Sequence, residues 1–394
     1  MKIAFIGQKG IPVKFGGVER HVEELATEMA RQGHEVFVYV RNNYTPKDLK
    51  EYKGVRLIHL PSISTKNLDA ISHTFLASVH ALFVDYDVIH YQAIGPSMLS
   101  WIIKFFKRKA VLICTFHCQD YYHKKWGWVA KNSLRFGEWV SCKVPDRTIV
   151  ISDSLDKYAR NKYNIEPKLI YNGTKIKDDN FSWKILNKWN LKKGNYVVFV
   201  GRLIRHKGAH NLVEAFKQLD SEGKIKPDFK LVIAGEGFHT DDYVSELKDS
   251  ARNSGNIIFT GNLVGEELRG IFAGAYLFVQ PSEAEGLSIT LLEAMSCGVP
   301  VLISDIVENT DVVRDMGYIF KTNDVNDLKN KLDELLNTGP DFSDKICRAK
   351  REVQEKYDWK KIARETVELY QKEADKKIKK TKNIFRYRIN NNQA

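Results

Sequence analysis

Twice along its 394 residues the chain repeats one rhythm: a short apolar stretch, a turn, an amphipathic helical stretch, then another apolar stretch. In the first half the apolar stretches are 2–6, 35–40, 55–59, 88–91, 111–116 and 147–152. In the second they are 195–201, 230–234, 256–260, 276–280 and 299–304, each followed by a helical stretch. Residues 18–31 read as a helix with Val22, Leu25, Ala26 and Met29 on one face, and Gly33 as its stop signal. Strands separated by helices pair in parallel, with the helices covering both faces of the sheet. The alternation therefore predicts two doubly wound α/β domains facing across a cleft. In such sheets ligands bind beyond the carboxyl ends of the strands. Asn172-Gly173-Thr174 and the polar run to Asp178-Asp179-Asn180 carry turn chemistry and mark the join. The expected domains are 1–180 and 181–360. An amphipathic helix over 361–376 and a basic, Asn-rich tail over 377–394, expected to be disordered, follow them.

Composition narrows the class. A hydrophobic fraction of 43% is that of a soluble globular protein. The best candidate for a membrane span, 71–84, is broken by Ser72, His73, Thr74, Ser78 and His80. Residues 1–7 read as a strand entering a glycine turn, not as a signal peptide. Five scattered cysteines without a C-x-x-C pair imply reduced thiols in the cytoplasm and no zinc site. The net charge of +12 is uneven: +9 over 1–180, −3 over 181–370 and +6 beyond. Positive patches suit phosphates, anionic headgroups or nucleic acid. Lys104-Phe105-Phe106-Lys107-Arg108-Lys109, and Trp126 and Trp128 flanked by Lys124, Lys125 and Lys131, mix bases with aromatics. That mixture favours a membrane surface; the plainer alternative is a solvated basic face.

Four clusters follow predicted strands. Gly7-Gln8-Lys9-Gly10-Ile11-Pro12, continuing to Gly16-Gly17-Val18-Glu19, lacks the G-x-G-x-x-G spacing, which disfavours a nicotinamide dinucleotide. Gly16 and Gly17 would let amides approach a diphosphate; the bland reading is a flexible turn. In Gly201-Arg202-Leu203-Ile204-Arg205-His206-Lys207-Gly208, Arg202 offers a planar fork to phosphate oxygens and Lys207 a point charge. His117 follows 111–116 and is a candidate catalytic group, or a structural histidine. Residues 285–293, Glu-Gly-Leu-Ser-Ile-Thr-Leu-Leu-Glu, place Glu285 in a strand-to-helix loop and Glu293 inside the helix. The amides of Gly286, Leu287, Ser288 and Ile289 open that helix and form an anion site. Asp85-Tyr86-Asp87 precedes a strand and is read as a connection, with no metal assigned. Ser152 reads as a helix cap.

Taken in order, these clusters resemble the retaining glycosyltransferases of the GT-B fold that carry the E-x7-E motif, the group 1 glycosyl transferases. The carrying residues span nearly the whole chain: Gly16-Gly17-Val18-Glu19, Asp87-Val88-Ile89-His90, His117, Asn172-Gly173, Gly201-Arg202 with Lys207-Gly208, Leu231 to Gly235, Gly261, and Pro281-Ser282 with Glu285 to Pro300. His117 to Trp126, then Leu134 to Trp139, resemble a bacterial subgroup that builds surface polysaccharides, including rhamnosyl- and glucosyltransferases. The resemblance implies an N-terminal acceptor domain, a C-terminal donor domain and a last helix returning to the first domain. Arg202 and Lys207 would hold the donor diphosphate, and Glu293 the ribose hydroxyls. Glu285 and Gly286 to Ile289 would meet the donor sugar, and His117 would approach its 6-position. Gly16 and Gly17 would lie under the diphosphate, Gly201 would be among the donor-binding residues, and Gly261, Asn262 and Leu263 would meet the base. Many members have an aromatic residue and a glycine where this chain has Leu287-Ser288, so the pocket's shape, and the sugar, stay open.

The expected activity is retaining transfer of a hexose from a nucleoside-diphosphate sugar to a saccharide or polyprenyl-diphosphate-linked acceptor, without metal or other cofactor. A UDP-sugar is favoured over dTDP-rhamnose or GDP-mannose. The expected place is the cytoplasm, peripheral on the inner face of the cell membrane against its anionic surface, with no nucleic-acid partner. A GT-B epimerase or a phosphorylase is the alternative, and after it a non-catalytic lipid- or nucleic-acid-binding module. No pyridoxal-binding lysine site is recognisable for a phosphorylase.

Overall fold

Near-continuous apolar runs such as Lys2–Ile6 suit strands buried on both faces, and the fold uses them so. The computed structural model describes the chain except residues 66–67, 120, 122–126, 176–182, 238–239, 253 and 392–394, with backbone alone over 381–391. Two compact units result: Met1–Asn172 with Trp359–Ala394, and Gly173–Asp358. The break falls a few residues before the expected 180/181; that position lies outside the described residues, as do Asp178 to Asn180, Lys124, Lys125 and Trp126.

The first unit contains β1 (Lys2–Ile6), α1 (Gly17–Arg31), β2 (Glu35–Arg41), β3 (Glu51–Tyr52), β4 (Val55–Leu60), α2 (Asp69–Leu82), β5 (Val88–Gln92), α3 (Ile94–Ser97) and α4 (Trp101–Phe106). It continues with β6 (Val111–Phe116), α5 (Trp128–Lys143), β7 (Arg147–Val150), α6 (Asp153–Tyr163) and β8 (Lys168–Leu169). The sheet order is β3-β4-β2-β1-β5-β6-β7-β8, parallel except for β3 against β4. Ala4, Ile6, Ile89, Tyr91 and Leu112 form one core with Ala77 and Ala81 of α2 and Ile103 of α4. Ser152 caps α6 as expected, its Oγ accepting from the Leu155 amide at 3.4 Å.

The second unit contains β9 (Tyr196–Val200), α7 (Ala209–Ser221), β10 (Lys230–Ala234), α8 (Asp241–Ala251), β11 (Ile257–Gly261), α9 (Gly265–Gly274) and β12 (Leu277–Gln280). Then come α10 (Ile289–Ser296), β13 (Val301–Ser304), α11 (Val307–Val313), β14 (Tyr318–Phe320), α12 (Val325–Asn337) and α13 (Ser343–Lys356). Its sheet, β11-β10-β9-β12-β13-β14, has parallel pairing at every step. Phe199, Leu231 and Val279 pack with Leu212 and Phe216 of α7 and Leu328 and Leu332 of α12.

The last helix, α14 (Trp359–Asn391), corrects one expectation. It neither ends at 376 nor gives way to an irregular tail at 377. No Gly or Pro interrupts residues 359–391. Lys377, expected to begin the tail, is anchored in the first unit, donating to the Ala110 carbonyl (2.5 Å) and pairing with Asp146 (2.6 Å). Further in, the Tyr370 hydroxyl lies 2.6 Å from His90 Nδ1, and Glu373 pairs with Arg147 at 3.2 Å.

Candidate active site

In the second sheet the chain order reverses between β9 and β12: β10 and β11 lie to one side, β13 and β14 to the other. Loops leaving adjacent strands on opposite sides of such a reversal open a crevice at the strands' carboxyl ends. The loops here are 201–208 and 281–288. Two glycines let them close up. Gly208 has φ +70, and a Cβ on it would lie 1.9 Å from the Pro281 carbonyl oxygen. Gly235, at φ +149, would set one 1.8 Å from the Gly201 oxygen. Neither position admits a larger residue without moving backbone.

Once in register, the loops join. The Glu283 amide donates to the His206 carbonyl at 2.8 Å. Lys207 Nζ, at the end of a short 3₁₀ turn, donates to both Glu285 oxygens at 2.5 and 2.6 Å, and Ser282 Oγ donates to Oε1 at 2.7 Å. The two charged side chains are 19% and 8% exposed, so the pair is largely out of water. Behind it runs a chain of buried polar side chains. Ser288 Oγ donates to Gln280 Oε1 (2.7 Å), and Gln280 Nε2 to Asn309 Oδ1 (2.6 Å). Asn309 Nδ2 donates to Ser304 Oγ (3.0 Å), and Ser304 Oγ to the Ser282 carbonyl (2.6 Å). Ser288 Oγ also accepts from the Leu291 amide at 3.3 Å, capping α10. Every link is satisfied, which fixes the loop that carries Glu285.

The other expected residues of this unit cluster at the same ends of the strands. Gly201 and Arg202 follow β9. Among the described residues the Arg202 guanidinium has no ion-pair or hydrogen-bond partner, whereas Arg205 is committed to Glu246 at 2.6 Å. Gly261 ends β11, the Asn262 amide donates to Glu236 Oε1 at 3.4 Å, and Leu263 is buried. Gly286 leads to buried Leu287, Ser288 and Ile289. Glu293 is half-buried in α10, one turn before Cys297. Burial pushes the Cys297 thiol up to about 11, with Arg269 opposing and Glu293 adding to the rise. The sequence reading passed over Glu308, in the first turn of α11. Burial raises its carboxyl above the usual range, and the charges of Glu285 and Asp311 add to the rise.

The first unit gathers its own polar groups where β1, β5 and β6 end. His117, just past β6, is buried, with Nε2 2.8 Å from Gln92 Oε1. Its ring meets that of His21 edge-on at 4.8 Å, and His21 Nδ1 lies 2.8 Å from Asn172 Oδ1. Burial holds His21 down at about 4 and keeps His117 and His90 well below the ordinary value. His117 is therefore neutral at physiological pH: a hydrogen-bonding group, not a proton source. Gly16 caps α1, Gly17 begins it, and Glu19 in the first turn accepts from the Lys9 amide at 3.1 Å. Asp87 accepts from the Lys2 amide at 2.7 Å, ahead of β5 and at the opposite end of the sheet, as a connection should.

Residues 181–353 match the family described as glycosyl transferases group 1, and residues 15–177 match Glycosyltransferase Family 4. The chain thus carries a Family 4 glycosyltransferase domain followed by a group 1 glycosyl transferase domain. This glycosyltransferase is 28% identical over 404 residues to an uncharacterized glycosyltransferase of Methanocaldococcus jannaschii, with 94% of this chain and 98% of the relative covered. It is 26% identical to the alpha-monoglucosyldiacylglycerol synthase of Streptococcus pneumoniae, over 83% and 77% of the two chains. Among solved structures it is similar to the sucrose-phosphate synthase from Thermosynechococcus elongatus, with a TM-score of 0.79, 21% identity, and 94% and 98% covered. Anabaena HepE in complex with UDP and glucose gives 0.77, 19%, and 94% and 100%. The fold is GT-B, built of two Rossmann-like domains.

Proposed function

We propose that this glycosyltransferase moves a hexose from a nucleoside-diphosphate sugar, with UDP favoured, to a saccharide or polyprenyl-diphosphate-linked acceptor in surface-polysaccharide synthesis. The anomeric configuration is retained and no metal takes part. The observation that carries the reading is the convergence, at the β9/β12 reversal, of Arg202, without a side-chain partner among the described residues, the Lys207–Glu285 pair and the capped start of α10. Cations beside helix amides suit a diphosphate. HepE, with the same fold, has been solved with UDP and with UDP-glucose, which favours UDP here.

Each residue then has a part. Arg202 and Lys207 neutralise the departing diphosphate, and the amides from Gly286 to Ile289 add to that stabilisation of separating charge. Glu285 holds Lys207 in place and faces the donor sugar. Glu293 accepts from the ribose hydroxyls, while Gly261 to Leu263 meet the base. On the first unit, His117 donates or accepts a hydrogen bond at the sugar's 6-position, and Gly16 and Gly17 leave room for the diphosphate. The departing phosphate takes the acceptor's proton, so no carboxylate need act as general base. The enzyme works in the cytoplasm, peripheral on the inner membrane face. No helix among the described residues is long and apolar enough to cross a membrane.

A thermal-shift screen against UDP-, GDP- and dTDP-sugars tests the donor class, because a ligand that binds only the folded state raises the melting point. A rise with none of them would remove the proposal. Arg202→Ala should lower turnover by ~10²-fold or more while leaving the fold intact, and undiminished activity would sink the phosphate role. Activity that persists with a chelator is expected, and its loss would refute metal independence.

A further inference from the structure

Twelve of the seventeen exposed large apolar side chains among the described residues lie between 63 and 139, so they form a surface feature of the first unit and not a random scatter. The densest part lies on α2, α4 and α5. Phe83, just past α2, is 85% exposed; Phe105 and Phe106 on α4 are 61% and 72% exposed. Lys107 Nζ donates to the Leu82 carbonyl at 3.2 Å, which brings the ends of α2 and α4 into one corner. Trp101 meets Phe105 edge-on at 6.5 Å in the same corner. On α5, exposed Phe136 and Trp139 stack at 5.9 Å. The C-terminal end of α5 leads to Asp146, which Lys104 of α4 reaches at 2.7 Å.

The exposed charges around these rings are mostly positive, with Asp85 as an exposed carboxylate beside Phe83. Arg108, Lys109, Arg135 and Lys143 are exposed, and among the described residues none has a carboxylate within ion-pair distance. Two of the nearby acids are committed: Glu138 is buried against Lys162, and Asp146 pairs with Lys104 and Lys377, while exposed Asp85 reaches Lys107 only at 3.9 Å. We infer that the α2–α4–α5 face lies on an anionic lipid surface, with Phe83, Phe105 and Phe106 at the depth of the acyl boundary and the bases at the headgroups. Aromatic rings and long basic side chains divide between those two layers in this way. A second copy of the chain is the poorer occupant, because a two-fold contact would set this basic face against itself. For its purpose the inference rests on the membrane-borne acceptor proposed above; its observations and its test do not use catalysis.

The test is co-sedimentation of the full chain with vesicles of phosphatidylglycerol and phosphatidylcholine, against vesicles of phosphatidylcholine alone. The wild type should sediment with the mixed vesicles and much less with the neutral ones. Phe105→Ser with Phe106→Ser should weaken binding by roughly tenfold or more, the scale of two large apolar side chains left in water. Arg108→Glu with Lys109→Glu should abolish the preference for anionic lipid. Val264→Ser with Val307→Ser, which removes exposed apolar groups of the second unit, should change nothing. Equal binding by the wild type and both face variants overturns the inference, as does equal weakening by the second-unit variant. So does a dimer that the phenylalanine variant dissolves. Thermal shift by UDP, read on the same samples, keeps the two proposals apart. Vesicle binding without a UDP response removes the donor reading alone, and a UDP response without vesicle binding removes this inference alone.

Discussion

Replacing Lys207 with Met asks whether the Lys207–Glu285 pair is built for chemistry, for stability, or for both. The ammonium gives the Glu285 carboxylate two of its contacts, at 2.5 and 2.6 Å, and Ser282 gives a third. Lys207→Met leaves the carboxylate 8% exposed with its hydroxyl partner. Removing one partner of a fully buried pair costs about 3–5 kcal/mol. Lys207 keeps a fifth of its surface in water, so the loss here is discounted to about 2–3 kcal/mol. In a unit of this size that lowers the melting temperature by roughly 5–10 °C. Glu285→Gln should cost less, about 1 kcal/mol, because the freed ammonium can turn to water.

The double variant separates the two roles. With Lys207→Met and Glu285→Gln combined, no charge is left buried at the pair, so stability should return to within about 1 kcal/mol of the wild type. Activity should not return, since the cation proposed to face the diphosphate is still missing. The assay is calorimetry on all four proteins, following the transition that UDP raises, beside turnover with the donor found in the screen. A Lys207→Met transition unchanged in temperature would refute the claim that the pair neutralises a buried charge. A double variant that regains turnover along with stability would refute the catalytic part.

Three further outcomes follow from other parts of the molecule. Gly208→Ala places a Cβ against the Pro281 carbonyl at a positive φ, so urea titration should show a loss of at least about 2 kcal/mol. Glu293→Ala should weaken UDP binding in calorimetry by roughly tenfold or more with little change in stability, since the residue is only half-buried. Burial holds His21 and His73 of the first unit at about 4 against 6.5 unfolded, so between those values only the unfolded chain takes up the proton. Stability therefore falls as pH drops, by about 2 kcal/mol per histidine at pH 5; denaturation midpoints equal at pH 7 and pH 5 would contradict the burial argument.

The alternation of apolar stretches and helices was enough to give two parallel sheets because a crossover leaves little choice of pairing direction. What it missed was short or uninterrupted. The strands β3, β8 and β14 have two or three residues each, too few for a period to register. The end of α14 was placed too early because basic composition was read as disorder, although nothing in the segment breaks a helix. In the candidate site, the charged members could be picked out of the sequence: Arg202, Lys207 and Glu285 stand in strand-to-helix loops, and Glu293 within the helix that follows. Gln280, Ser282, Ser304 and Asn309 were not, since each is an ordinary polar residue until the loops after β12 and β13 bring them into one chain. His21 and Gln92 were hidden for the same reason, reaching His117 from α1 and β5.

Ser288 shows how the two kinds of residue depend on each other. In sequence, Leu287-Ser288 was the departure that left the sugar pocket's shape open. In the fold, Leu287 is 5% exposed, and Ser288 both caps α10 and begins the chain that ends beneath Ser282. Both side chains therefore serve the loop's position. A ligand at this loop would meet what remains presented: the Glu285 carboxylate, the amides that open α10, and the Glu308 carboxyl, which burial and the charge of Glu285 raise. On the proposed reading, discrimination between sugars therefore rests on the polar groups this loop presents more than on the bulk of Leu287, which is turned into the loop's own packing.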